Sequence, residues 1–105
     1  MAHSVPKSSG IAMIFSDLKQ LKDAKEFLFA SKSEQTHMHA YLSIEEFLSQ
    51  KSGTSWLLIV IDMRTMLGSP SHLREELLRV AEMIPLLRLR QGAEGISGTL
   101  DGFNG

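Results

Sequence analysis

The sequence predicts an α/β domain of three layers, α/β/α, built around a parallel sheet. Leu57-Leu58-Ile59-Val60-Ile61 is an unbroken aliphatic run, the composition of a strand buried on both faces. Segments with strand character at 11–15, 37–42 and 86–90 alternate with stretches of helical periodicity. Such alternation implies parallel strands joined by right-handed crossovers. A chain of 105 residues, 43% hydrophobic and 22% charged, has material for one core and for one ordinary globular domain.

The elements follow in order. Residues 1–10 are polar and read as a mobile lead-in, and the domain is expected over 11–91. Ile11 to Phe15 is a short apolar run, a buried strand. Ser16 or Asp17 can N-cap the next segment. There Leu18, Leu21, Ala24 and Leu28 recur at helical spacing, predicting a helix to about Ala30. Ser31 to Gln35 is a polar break. Met38, Ala40 and Leu42 alternate with His37, His39 and Tyr41, predicting a half-buried second strand.

Ser43 and Glu46 have capping-box spacing ahead of Phe47 and Leu48, which marks a short helix to Ser49. Gln50 to Thr54 is a turn, and Trp56 to Asp62 is the third strand. After a loop over 63–68, Ser69 can cap a helix whose first residue is Pro70 and whose stripe is Leu73, Leu77, Val80 and Ile84. Pro85 ends it, and Leu86 to Arg90 is a fourth strand. The expected order across the sheet is 2-1-3-4, with Ile14, Ile59 and Ile61 at its centre. Five of the eight glycines fall within 92–105, so this stretch reads as a glycine-rich tail, with Ile96 to Leu100 as an optional fifth strand and Phe103 as an extra anchor.

Composition excludes several classes of function. The formal net charge of -1 gives no argument for nucleic acid or an acidic membrane surface. Zero Cys removes disulfides, thiol nucleophiles and thiolate metal sites, and points to a reducing compartment. No apolar run reaches membrane-spanning length and no signal region opens the chain, so a cytoplasmic location is expected.

Few residues are placed for chemistry. Asp62 ends the third strand, at the rim where open α/β folds keep their sites. His37 and His39 share a strand face, one way to begin a metal site, but no third ligand is evident and they read as surface histidines beside Tyr41. His72 opens a helix and reads as solvated. Ser69 and Ser71 lack a Ser-His-Asp context, and no Gly-x-Ser-x-Gly, Walker loop or dinucleotide fingerprint appears, so the chain reads as a non-enzyme. The glycines at 92, 95 and 98 could wrap an anion near Arg88 and Arg90, though a flexible tail is the simpler reading. Lys19, Lys22 and Lys25 read as a solvated helix face. Met63 and Met66 flank the Asp62 loop as core fillers or as an adaptable partner surface.

Leu58-Ile59-Val60-Ile61-Asp62-Met63-Arg64 is similar to the phospho-acceptor strand of response-regulator receiver domains, and Ile84-Pro85-Leu86-Leu87 is similar to the opening of that family's fourth strand. With the element order over some eighty residues, 11–90, the chain resembles a degenerate, C-terminally short receiver of the flavodoxin-like kind used in two-component signalling and phosphorelays. The resemblance implies that Asp62 holds the acceptor position. The family's Mg²⁺-binding acidic pair falls on Phe15-Ser16, or on Ser16-Asp17 one residue on, so Asp17 and Asp62 are the only carboxylates left for a metal. Its small hydroxyl residue after the fourth strand falls on Arg90. Its later Lys has no counterpart among the residues after 90.

The expectation is therefore a pseudo-receiver without a cofactor, not phosphorylated by the usual route, that acts through protein–protein contacts. The alternatives are a phospho-acceptor using Asp62 with Mg²⁺, or an anti-sigma-antagonist-like module modified on Ser69 or Ser71. On the fourth strand Leu87 and Leu89 point one way, while Leu86, Arg88 and Arg90 point the other. Two guanidiniums on a covered face are costly unless paired. Arg88 and Arg90 are thus expected to border an interface, with a protein partner or a second copy pairing along the fourth-strand edge as a homodimer.

Overall fold

The computed structural model describes residues 9–28, 37–50, 55–93 and 95–101, with the backbone alone at 9, 28, 37 and 101. The lead-in at 1–8, the first helix beyond residue 28, the break at 31–35, the turn at 51–54 and Phe103 lie outside the described residues. The elements are β1 (Ser9–Ile14), α1 (Leu18–Leu28), β2 (His37–Tyr41), α2 (Ile44–Gln50), β3 (Ser55–Asp62), α3 (Met63–Leu67), α4 (Ser71–Val80), β4 (Leu86–Gly92) and β5 (Gly95–Asp101). They form an α/β fold with one five-stranded, mostly parallel sheet in the order β2-β1-β3-β4-β5. Among the described residues no helix is long and apolar enough to cross a membrane.

Two apolar clusters lie on opposite faces of the sheet. On one face Ala12, Ile14, Ile59, Ile61 and Leu86 meet Ile44 and Phe47 of α2, Met66 of α3 and Leu77 of α4. On the other, Ile11, Met13, Val60 and Leu89 meet Leu21 and Ala24 of α1. Ile14, Ile59 and Ile61 are fully buried, as the aliphatic runs predict. The sheet is thus covered by one helix on one side and three on the other.

Local signals explain most boundaries. Asp17 caps α1, its Oδ1 accepting from the Lys19 N–H at 2.9 Å. Ser43 Oγ accepts from the Glu46 N–H at 3.1 Å, and Glu46 Oε1 accepts from the Leu42 N–H at 2.7 Å. This is the reciprocal capping that the spacing predicts, with one bond shifted a residue upstream. Ser69 caps no helix. Its hydroxyl donates to the Thr65 carbonyl at 2.6 Å, because the expected loop over 63–68 holds the short helix α3. Pro70 takes the cap position of α4, which ends at Val80 in a turn before Pro85.

Three expectations are corrected. The sheet is not parallel throughout: β4 pairs antiparallel with β5, from Gly92↔Gly95 to Leu86↔Asp101. Gly95 at φ 112° supplies the positive dihedral on leaving the turn, so glycine that reads as tail builds a hairpin instead. As a result β4 is an interior strand, and the fourth-strand edge expected to dock a partner is already paired. The second strand shows the opposite face to the core. Tyr41 is buried and His39 half-buried, packing edge-on to Trp56 at 6.2 and 5.3 Å, whereas Met38, Ala40 and Leu42 are exposed. Aromatic area at Tyr41, Phe47 and Trp56 outweighs the smaller aliphatic face.

β3 also carries an irregularity that its unbroken run conceals. Gly10 pairs with Trp56 but Ile11 pairs with Leu58, so Leu57 is an extra residue, and it is 51% exposed. The bulge lets Trp56, Ile59 and Ile61 share one face despite their odd spacing.

Candidate functional site

The C-terminal rim of the sheet brings together the loops after β1 and β3. Ser16 follows β1, and its N–H donates to Thr65 Oγ1 of α3 at 3.0 Å, with the two hydroxyls 3.1 Å apart. Thr65 is buried and Ser16 exposed, so this pair fastens the two segments side by side at the rim. Asp62 ends β3 between them and opens α3 without capping it through its side chain.

Asp62 is only 5% exposed. Its carboxylate points to the α1 side of the sheet, where Gln20 covers it. With its nitrogen toward the acid, the Gln20 amide donates to Asp62 Oδ2 at 2.7 Å while its oxygen accepts from Arg64 Nη1 at 3.1 Å. The reverse orientation would set oxygen against oxygen. The cavity at this point, bounded by Phe15, Gln20, Ala24, Leu89, Gln91 and Ile96 with Asp62, holds about 10 Å³. That is at most the room for one water molecule.

Burial raises the Asp62 pKa above its ordinary value, and the charge of Asp17 adds to the rise. The Arg64 and Thr65 N–H groups and the Arg64 guanidinium pull the other way. Burial is the largest of these effects and sets the direction.

The remaining sequence-selected residues are spread out. Asp17 is exposed and committed to capping α1. Arg90 lies on the far face, where a hollow of about 270 Å³ is lined by Met63, Arg88, Arg90, Ser97 and Thr99. The β4 residues that approach Asp62 are instead Leu89 and Gln91. A second hollow, about 320 Å³, runs on from Met63 and Arg88 past Met66, Leu67, Ser71, Arg74, Glu75 and Leu78. Met66 is core, and Met63 borders both hollows. His72 is exposed, and the His37 side chain lies outside the described residues.

Mg²⁺ requires several hard oxygen ligands in open, near-octahedral array. The rim offers two carboxylates, one bonded to its own helix and one under an amide, and among the described residues no group of three or more His, Asp or Glu side chains could hold a metal. Gln20 and Thr65 escape a sequence reading made for carboxylates and hydroxyls in motifs. The available signal for Gln20 is its place four residues before Ala24, on the helix face that packs on the sheet. No family model matches the chain, and no curated protein or solved structure matches it significantly.

Proposed function

We propose that this chain is a receiver-like regulatory module that works through protein contacts and not through phosphoryl transfer at Asp62. The observation that carries the reading is the Gln20 amide lying 2.7 Å from Asp62 Oδ2, beside a cavity of only about 10 Å³. A phosphoryl acceptor must meet its donor in line with a metal at hand. Here the acceptor oxygen is covered, Asp17 caps a helix, and Arg90, which falls where the family has its small hydroxyl residue, faces the other side of the sheet. The parallel β1-β3-β4 core with the acid at the end of β3 supports the family likeness. The antiparallel β5, reached by a hairpin in place of a helix, departs from it. A single first strand pairing parallel with both β2 and β3 disfavours the anti-sigma-antagonist reading, which calls for an initial hairpin. Ser69 in that reading is already bonded to the Thr65 carbonyl.

Incubation with acetyl phosphate and Mg²⁺, followed by intact-mass measurement, tests the proposal. The expected spectrum contains no phosphorylated species. A phosphoryl adduct on the wild type that disappears in Asp62→Asn would reverse the conclusion in favour of a working phospho-acceptor.

A further inference from the structure

β5 is a lateral edge of the sheet, and among the described residues no strand pairs with its outer side. An open edge is a template for another strand, and proteins usually blunt it with Lys, Pro or a bulge. Gly-Ile-Ser-Gly-Thr-Leu-Asp has no Lys, Arg or Pro, and its pairing with β4 runs through seven residues without a register shift. The opposite edge, β2, is five residues long and carries two histidines.

The β5 sequence is close to a palindrome about Gly98. Ser97 and Thr99 flank it, then Ile96 and Leu100, then Gly95 and Asp101. The two faces follow the same division. Ile96 packs on the α1-side cluster, and a Cβ at Gly98 would point at Leu87 and Leu89 of that side. Ser97 and Thr99 line the hollow on the other side with Arg88 and Arg90.

We infer that this protein forms a symmetric dimer in which β5 pairs antiparallel with β5 of a second copy, centred on Gly98. A two-fold axis perpendicular to the sheet keeps each face on its own side. Ile96 then lies opposite Leu100 of the mate and Ser97 opposite Thr99, so aliphatic meets aliphatic and hydroxyl meets hydroxyl. Leu100, 54% exposed in the single chain, gains a neighbour. The arginines of the two β4 strands are separated by three strand spacings, roughly 14 Å, beyond the Debye length of about 8 Å at physiological salt. Their repulsion therefore does not oppose the pairing. This interface gives the contact-based reading a partner, a second copy of the chain. It does not depend on how Asp62 behaves, so failure here and phosphorylation there are separate results.

The absence of cysteine makes a register-specific test possible. Ser97→Cys and Thr99→Cys each place one thiol at an exposed position. In the proposed register residue 97 faces residue 99 of the mate, with Cα atoms roughly 4.5–5.5 Å apart, within disulfide range. Two copies of residue 97 lie roughly 8 Å apart, beyond it. Mild oxidation of a mixture of the two variants, one isotopically labelled, should give a disulfide-linked dimer holding one chain of each. Either variant alone should give far less. Equal linking alone and mixed, or none in the mixture, overturns the register.

Sedimentation supplies the second measurement. A single strand pair is a small interface, so association is sought at up to about 0.5 mM. The wild type should associate, and Leu100→Lys should be monomeric with an unchanged circular-dichroism spectrum. A monomeric wild type at that concentration overturns the dimer and leaves the edge to a strand of another protein.

Discussion

Replacing Gln20 tests whether the amide over Asp62 holds the charged carboxylate or merely fills space. The bond to Asp62 Oδ2 is 2.7 Å, to an acid almost wholly removed from water. Hydrogen bonds to charged groups contribute about 1.5–3 kcal/mol, and neutral ones about 1 kcal/mol. The 3.1 Å contact with Arg64, an exposed side chain, adds little. Gln20→Ala should therefore lower stability at neutral pH by about 2 kcal/mol. In an Asp62→Asn background, where only a neutral amide pair is lost, the same change should cost about 1 kcal/mol. The double-mutant cycle then gives a coupling of about 1 kcal/mol. Urea titration followed by Trp56 fluorescence measures all four proteins, since Trp56 is the only tryptophan and packs against Phe47, Tyr41 and His39. A coupling indistinguishable from zero would show that Gln20 and Asp62 do not act as a charge-assisted pair, and the covering of the acid would need another cause.

Burial gives the pH dependence of Asp62 its expected sign. Its pKa is raised in the folded state, so the native protein binds the proton before the unfolded chain does. Its unfavourable contribution is full above the folded pKa and relieved as pH falls through that value toward 3.8. The stability of the wild type relative to Asp62→Asn should therefore rise over that window, as urea midpoints across a pH series would show; a fall would mean that the pKa is depressed. Phe47→Ala removes a fully buried ring in edge contact with Tyr41 and Trp56, both at 5.4 Å. It should cost about 3–5 kcal/mol, lowering Tm by more than about 12 °C in a scanning calorimeter. Gly95→Ala forces a side chain to φ 112° and should cost about 1–2 kcal/mol, whereas Gly92→Ala, with ordinary φ and open space around it, should cost under about 0.5 kcal/mol. Equal effects in chemical denaturation would mean that the hairpin does not turn as described.

The parts of the fold legible in the sequence are those in which one local pattern decides the matter. Ile59, Val60 and Ile61 can be buried only in a central strand, and Ser43 with Glu46 can close only a helix start. The misread parts turn on competition between distant residues. Alternation in β2 shows that one face is buried but not which, and Trp56 and Phe47, from β3 and α2, draw in Tyr41 and His39. Leu57 reads as core because a bulge leaves no trace in an all-aliphatic run. Glycine between 92 and 98 fits a tail and a hairpin equally well by composition. The tie is broken by Leu87 and Leu89, whose side chains reach to within about 3 Å of where a Cβ of Gly98 would lie.

The same division governs the candidate site. Asp62 is fixed at the rim by the strand that precedes it, and any chain with that strand in that place would put an acid there. Whether the acid can react is decided by what surrounds it, and none of that comes from β3. Gln20 arrives on α1, Leu89 and Gln91 on β4, and Ile96 on the returning hairpin, and together they leave about 10 Å³. The hairpin that closes the rim also carries a sheet edge with which no strand pairs among the described residues. One departure from an all-parallel sheet thus bears on both halves of the proposed function. It helps to seal the acid that a phosphotransfer domain would leave open, and it presents a self-complementary strand along the sheet edge.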